Sequence, residues 1–404
     1  MKLDSKGFDK AYKLISSKLK PTPLIKNQWL SQKYDCEIYL KLENLQPVGS
    51  FKLRGAFNKV SSLAEEERKR GVIASSLGNH AQGVAYAARE FGVPATIIMP
   101  KGSPLVKVMN TRSLGAKVII EGDTVDEGAE IAQRYVEKDN LIFIHPFHDQ
   151  QVIYGQGTMG LEILSQLDQI DFIFGALGGG GMVCGIGHTV KKLSPDTQVV
   201  AVGSSGASAL VDSIKAKKLV EGNFAQTFCD GIRVKNARKD MVDLLIPVID
   251  ECLKINDNRV SMAILDLMEQ ARVIAEGAGA ISLAAFDLLY KKDPQRFKGK
   301  KIVLIVCGGN IDINLIDKII DRGLVESHRR DHIQVVLGDR PGELFELIDI
   351  IKGHEANILD VIHERTHPRI ALHETFVEVL VETTGPDHAR EIKESCGERF
   401  LLLN

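Results

Sequence analysis

From residue 37 to residue 306 the chain repeatedly sets a short apolar run ahead of a longer stretch with apolar residues at helical spacing, and this alternation confines it to an α/β fold. The runs 37–42, 71–75, 95–99, 117–120, 171–177, 198–202 and 301–306 are too short for helices. They are also too continuously apolar for a sheet with one wet face, so they read as parallel strands covered on both sides. Between them, 79–91 carries small and apolar residues at helical spacing and is closed by Gly92-Val93-Pro94, and 105–114 is closed in the same way by Gly115. The charge run 65–70 reads as a solvated helix end.

From Ile333 the pattern changes. Strand (333–337), helix (341–352), strand (357–363), strand (375–382), helix (387–396) and strand (399–403) make a βαββαβ unit of ferredoxin-like type. Residues 332–404 hold fourteen Asp/Glu against seven Lys/Arg, so this unit is acidic while the whole chain, with 51 Lys+Arg and 53 Asp+Glu, is nearly neutral. The polar segment 321–331 is the expected linker between a catalytic domain, 1–320, and a small domain, 332–404. A length of 404 residues suits one large and one small domain.

Near-neutral charge offers no field for a polyanion, so nucleic acid is not an expected partner. The N-terminus is charged and polar, and the longest uncharged run, 172–187, is broken by glycines and too short to span a bilayer; no membrane partner is expected. The six cysteines are scattered without a CxxC pair, which points to reduced thiols and a cytoplasmic protein.

Chemistry is concentrated in a few segments. Gly178-Gly179-Gly180-Gly181 follows the apolar run 171–177 and precedes the helical stretch that opens at Met182. Glycines allow close approach of the backbone to an anion, and a helix N-terminus presents free N–H groups and a favourable dipole, so a monophosphate fits there. The segment lacks the Lys-Ser/Thr of a P-loop and the GxGxxG spacing of a dinucleotide site; the alternative is a flexible glycine turn. Lys52 follows the Gly49-Ser50 turn between Phe51 and Leu53. An isolated lysine is ordinarily a surface charge, but an amine in apolar surroundings loses basicity and becomes a nucleophile and a base.

Taken in order, GSFKLRGA, SLGNHAQG, the tetraglycine loop, DGIRV and CGGNID resemble the fold-type II pyridoxal-5′-phosphate (PLP) enzymes across roughly residues 10 to 320, and the threonine dehydratase group most closely. The resemblance implies a tryptophan synthase β-like fold of two open α/β subdomains, the smaller at about 49–148 inserted in the larger. It implies Lys52 as the Schiff-base lysine and Gly178, Gly179, Gly180, Gly181 and Met182 around the cofactor phosphate. Phe51 is then set against the pyridine ring, Asn79 near its phenolic oxygen and Cys307 opposite its nitrogen. Ser76, Leu77, Gly78, Asn79 and His80, at a helix start, take the substrate carboxylate in similar enzymes, a role their donors suit physically. His80 can equally be a hydrogen-bonded structural histidine, and Cys307 a small residue ending a buried strand. A thiol opposite the nitrogen does not hold it protonated as an aspartate would, which suits elimination better than transamination. The implied reaction is deamination of L-threonine to 2-oxobutanoate, or of L-serine to pyruvate, on a route such as isoleucine biosynthesis.

Two positions depart from the pattern. Leu77 stands where similar dehydratases commonly have alanine and serine racemases a serine that serves as second acid/base; leucine carries no proton, so racemisation is disfavoured. Gly203 and Ala209 occupy places where metal-stimulated relatives have acidic ligands, so no metal is expected there. His363-Glu364-Arg365-Thr366-His367 spells the HExxH of a zinc protease, but it follows a strand and Pro368 disfavours helix at His367. His145 and His148, around Pro146-Phe147, read as a structural pair. The C-terminal unit resembles the ACT domain through Gly338-Asp339-Arg340-Pro341-Gly342 and Asn357, which implies a branched-chain amino acid effector at Gly342 and Asn357, pairing of copies and a homotetramer. That unit alone also suits a non-catalytic amino-acid sensor.

Overall fold

The structure is a computed structural model that describes every residue of the chain except His367, Arg369 and Asn404. It divides between Asp312 and Ile313 into two compact units, each described by itself.

The first unit contains β1 (Leu24–Lys26), β2 (Glu37–Leu42), β3 (Val72–Ser75), β4 (Ala95–Met99), β5 (Lys117–Ile120), β6 (Ile142–Phe143), β7 (Phe172–Ala176), β8 (Gln198–Ser204), β9 (Glu251–Ile255) and β10 (Lys301–Val306). They form two open sheets, β1-β2-β10-β7-β8-β9 and β5-β4-β3-β6. Every pairing is parallel except that of the edge strand β1 with β2. All five residues of β7 and all four of β3 are buried, which is why their sequences show no alternation. The smaller sheet lies within 72–143, inside the subdomain expected at 49–148, and its core joins Leu53, Ala56 and Phe57 of the helix Lys52–Ser61 to Ala81, Val84 and Ala85 of the helix Asn79–Glu90. In both sheets the loops after the parallel strands gather at their C-terminal edge, where ligands of open α/β sheets bind.

The second unit begins with the helix Ile313–Glu326, followed by β11 (Arg330–Gly338), the helix Glu343–Gly353, β12 (Asn357–Glu364), β13 (Glu374–Glu382), the helix Pro386–Arg399 and β14 (Leu401–Leu402). The antiparallel sheet β12-β13-β11-β14 has the ferredoxin-like order expected from the βαββαβ pattern. Ile333, Val335 and Leu337 alternate onto the face that packs with Leu347, Ile351 and Ile392.

Segment 321–331, expected as a linker, is instead the end of the helix Ile313–Glu326, a short turn and the start of β11. Its polar composition reflects solvent exposure along an amphipathic helix, which buries Ile319 and Gly323, and not irregular chain. The charge run is a short helix, Glu65–Arg70, with no buried residue. His363 and Glu364 lie on β12, so the HExxH stretch does not present them on a helix; His367 lies outside the described residues. All six cysteines are free thiols, and among the described residues no helix is long and apolar enough to cross a membrane.

Candidate active site

The segment before Lys52 is pinned to the segment after β10. Phe51 N donates to Cys307 O at 2.9 Å, Gly309 N donates to Gly49 O at 2.9 Å, and Ser50 bridges Gly308. Gly49 holds a left-handed φ of +71°, and a Cβ there would strike the Asn310 side chain. These contacts bring the lysine at the start of one helix and the cysteine at the end of a strand, 255 positions apart in the chain, into one pocket. It is lined by Phe51, Lys52, Phe147, the four glycines, Met182, Ile232, Glu276 and Cys307.

Lys52 Nζ donates to Pro146 O at 3.1 Å and lies 5.2 Å from the centre of the Phe51 ring. Burial lowers its pKa to about 8, so the amine exchanges protons near neutrality. Burial pushes the Cys307 thiol well above its ordinary range, and Sγ donates to Ala278 O at 3.2 Å. It stays protonated.

The glycine loop forms the opposite wall. Gly180 takes φ +92°, and the helix Gly181–Leu193 makes its first internal bond from Cys184 N to Gly180 O. The N–H groups of Gly181, Met182 and Val183 therefore have no acceptor within the helix and suit an anion. A Cβ at Gly179 would overlap the Phe147 ring, and one at Gly180 would lie 2.7 Å from Leu245, so neither position has room for a side chain.

Residues 76–80 follow β3. Ser76, Leu77 and Gly78 are half-buried, and Ser76 Oγ accepts from Gly78 N at 3.2 Å. Nothing lies within 4 Å of a Cβ built at Gly78, which leaves open space over the start of the helix Asn79–Glu90. Asn79 is buried between Asn310 and Glu276, at 2.7 Å from each. The His80 ring is also buried, with Nε2 on Ile144 O at 2.8 Å; burial and Lys52 lower its pKa to about 3. Since a carbonyl only accepts, Nε2 carries the proton and the imidazole is neutral. Nδ1 is then only an acceptor, so the main chain alone of His80 can donate to an anion. His145 Nδ1 accepts from the main-chain nitrogens of Phe147 and His148, and His148 Nε2 bonds to Asp240, so both histidines are structural. Gly203 lies on β8 and Ala209 opens the helix Ala209–Ala216.

The sequence reading missed several members of the site. Pro146 and Phe147 hold Lys52 and back the glycines, and Ile232 of DGIRV lies 2.8 Å from a Cβ at Gly178. Glu276, whose pKa burial and Asp230 raise to about 8, was signalled only as one acid ahead of a long uncharged run. Behind the lysine helix, Arg54 bonds Glu43 at 2.7 and 2.8 Å and Glu162 at 2.9 and 3.0 Å, while Lys41 bonds Glu162 at 2.5 Å. Two cations meet two carboxylates with almost no solvent.

In the second unit Gly342, at φ +100°, caps the N-terminus of the helix Glu343–Gly353, whereas Asn357 starts β12 beyond its C-terminus. The helix between them is 11 residues, about 16 Å long at 1.5 Å per residue.

The sequence model of the family described as pyridoxal-phosphate dependent enzyme matches residues 15–308. The L-threonine ammonia-lyase of Thermotoga maritima is 43% identical over 97% of this chain and 95% of its own length, so the match runs through the second unit as well. Among solved structures, processed threonine deaminase isoform 2 from Solanum lycopersicum superposes with a TM-score of 0.74 at 34% identity, covering 80% of this chain and 95% of that one. Maize serine racemase gives a TM-score of 0.74 at 29% identity, covering 81% and 99%.

Proposed function

This chain belongs to the pyridoxal-phosphate-dependent enzymes, and from that premise we propose that it is a threonine ammonia-lyase. It removes ammonia and the β-hydroxyl from L-threonine to leave 2-oxobutanoate, and it acts on L-serine to leave pyruvate. The observation that carries the reading is the convergence of an amine of lowered basicity, a glycine cradle at a helix start and a protonated thiol in one pocket. A cofactor with an aldehyde, a monophosphate and a pyridine nitrogen is matched by these three groups in turn.

Bound pyridoxal phosphate supplies the electron sink that lets an α-proton leave. The protein does the rest. Lys52 Nζ, with a pKa near the working pH, takes the proton from the α-carbon; a proton and the β-hydroxyl leave as water, and water then replaces the amino group to give the 2-oxo acid and ammonia. The helix start at Asn79 and the loop of Ser76, Leu77 and Gly78 offer main-chain donors for the substrate carboxylate. Cys307, keeping its own proton, leaves the ring nitrogen without an anionic partner to hold it protonated and steers the reaction toward elimination. A sensor without catalysis has no use for this pocket.

Leu77 distinguishes the reading from a racemase. It sits half-buried in the substrate loop and carries no transferable proton. L-serine is therefore expected to yield pyruvate without D-serine, and chiral chromatography of the reaction mixture checks this. D-serine formed as fast as pyruvate would overturn the assignment.

The second unit is read as an ACT-type regulatory domain that binds a branched-chain amino acid. Because one copy holds Gly342 and Asn357 at opposite ends of a helix, an effector that touches both needs two copies side by side, which supports pairing and, with paired catalytic units, a homotetramer. An effector acts only through different affinities for two states of that assembly. Truncation after Asp312 should leave threonine turnover within about threefold of the full chain and abolish any shift of the saturation curve by isoleucine or valine. Saturation curves for the full and the truncated chain test it, and an equal response in the truncated chain would rule the role out.

A further inference from the structure

The pocket contains one acid that the mechanism above does not use. Glu276 precedes the helix Gly277–Lys292 and is 3% exposed; its backbone N donates to Gly308 O at 3.0 Å. Glycines make room for its carboxyl, because a Cβ at Gly308 would lie 2.5 Å from Oε1 and one at Gly231 would lie 3.0 Å from it. A side chain at either position would push the carboxyl away from Asn79.

The hydrogen bonds around it fix one orientation. The Val48 carbonyl can only accept, so Asn310 must turn Nδ2 toward it, at 2.8 Å. The same Nδ2 donates to Asn79 Oδ1 at 2.7 Å, so Asn79 must turn Nδ2 the other way, and there it donates to Glu276 Oε1 at 2.7 Å. One of the two Nδ2 hydrogens of Asn79 remains. We propose that Glu276 is a positioning residue for the lyase reaction, locking the Asn79 amide so that this remaining hydrogen is held for the ring oxygen of the cofactor. The inference rests on the reading of the pocket as a pyridoxal phosphate site.

The titratable groups that interact with Glu276 are Asp230, Lys107, Lys52, Cys307 and Cys229. Lys107, from the helix Leu105–Ser113, bonds Asp230 at 2.5 Å and offsets part of its charge, so burial is the main cause of the raised pKa. Burial and Asp230 together keep the carboxyl neutral at pH 7, and it ionises as pH rises through about 8. A negative charge then appears beside the amide that faces the ring.

The test uses the full chain reconstituted with pyridoxal phosphate as wild type, Glu276→Gln and Glu276→Ala. Bound cofactor, visible circular dichroism from about pH 6 to about pH 10, kcat and KM are measured. All three should bind one cofactor per chain. The wild-type dichroism should change in one step above the ordinary carboxylate range, and Glu276→Gln should lose that step but keep kcat within about threefold, because its amide oxygen still accepts from Asn79. Glu276→Ala should lower kcat about tenfold or more with little change in KM and alter the dichroic band, the effect of losing one buried acceptor. A pH step that persists in Glu276→Gln, or wild-type kcat and dichroism in Glu276→Ala, would overturn the proposal. Failure of the unmutated chain to bind pyridoxal phosphate would overturn both it and the reading on which it rests, and is told apart by appearing without any substitution.

Discussion

Replacing Lys52 by alanine should abolish ammonia release from L-threonine and remove the visible absorbance of the cofactor-loaded protein. The amine does two jobs: it is the nucleophile that joins the chain to the cofactor aldehyde, and it carries the α-proton. General acid–base transfer alone is worth about 10²–10⁴-fold, and loss of the covalent link adds to that, so turnover should fall at least about 10⁴-fold. Stability should hardly change, because Lys52 Nζ makes one hydrogen bond, to Pro146 O, and packs on Phe51. An unaltered melting curve beside lost turnover separates a chemical role from a folding defect. Retention of more than about one per cent of wild-type activity would exclude Lys52 as the base.

The largest expected effect on stability is at Arg54, two residues beyond the lysine on the same helix. Arg54 and Lys41 are 1% and 0% exposed and face Glu43 and Glu162. Burial alone would raise the Glu43 carboxyl, but the guanidinium beside it, with help from Lys41, holds it below the usual carboxylate range. Arg54→Met leaves two buried carboxylates to one ammonium. Breaking such a cluster from one side costs about 3–5 kcal/mol, so denaturant unfolding of the catalytic unit should show a loss of that order. Adding Glu43→Gln to Arg54→Met removes the excess charge and should restore at least half of the loss. Since the folded pKa of Glu43 is depressed, its contribution is present above the unfolded carboxylate range and fades as the solution is acidified through the folded value. A single substitution that changes stability by less than about 1 kcal/mol would contradict this account of the cluster.

Arg54 also shows where sequence reading ends. Most of the parallel strands were legible because burial on both faces demands continuous apolar runs, and β2, β4 and β10 begin and end where those runs do; β5, an edge strand with no buried residue, matches its run without being sealed on either face. The tetraglycine loop was legible because only glycine can sit against Phe147 and adopt the φ of Gly180. Charged residues are expected on the surface, so nothing local marks Arg54, Glu43 and Glu162 as a buried set whose members are 11 and 108 positions apart. Glu276 is hidden for the same reason, since its partner Asn79 lies 197 positions away. The error at 321–331 is of another kind. A helix with one apolar stripe and a wide polar face, such as Ile313–Glu326, has the composition of a linker, and only its helical period separates the two.

The central claim is that one pocket, built from Lys52, the glycine cradle and Cys307, converts a hydroxy-amino acid to a 2-oxo acid and ammonia. Its most direct test is to incubate the purified, pyridoxal phosphate-loaded chain with L-threonine and quantify 2-oxobutanoate and ammonia together. The account predicts that both accumulate in equal amounts for as long as threonine lasts, and that neither accumulates with Lys52→Ala. If the loaded chain left L-threonine and L-serine unchanged, or released ammonia without an equal amount of 2-oxo acid, the account would be wrong.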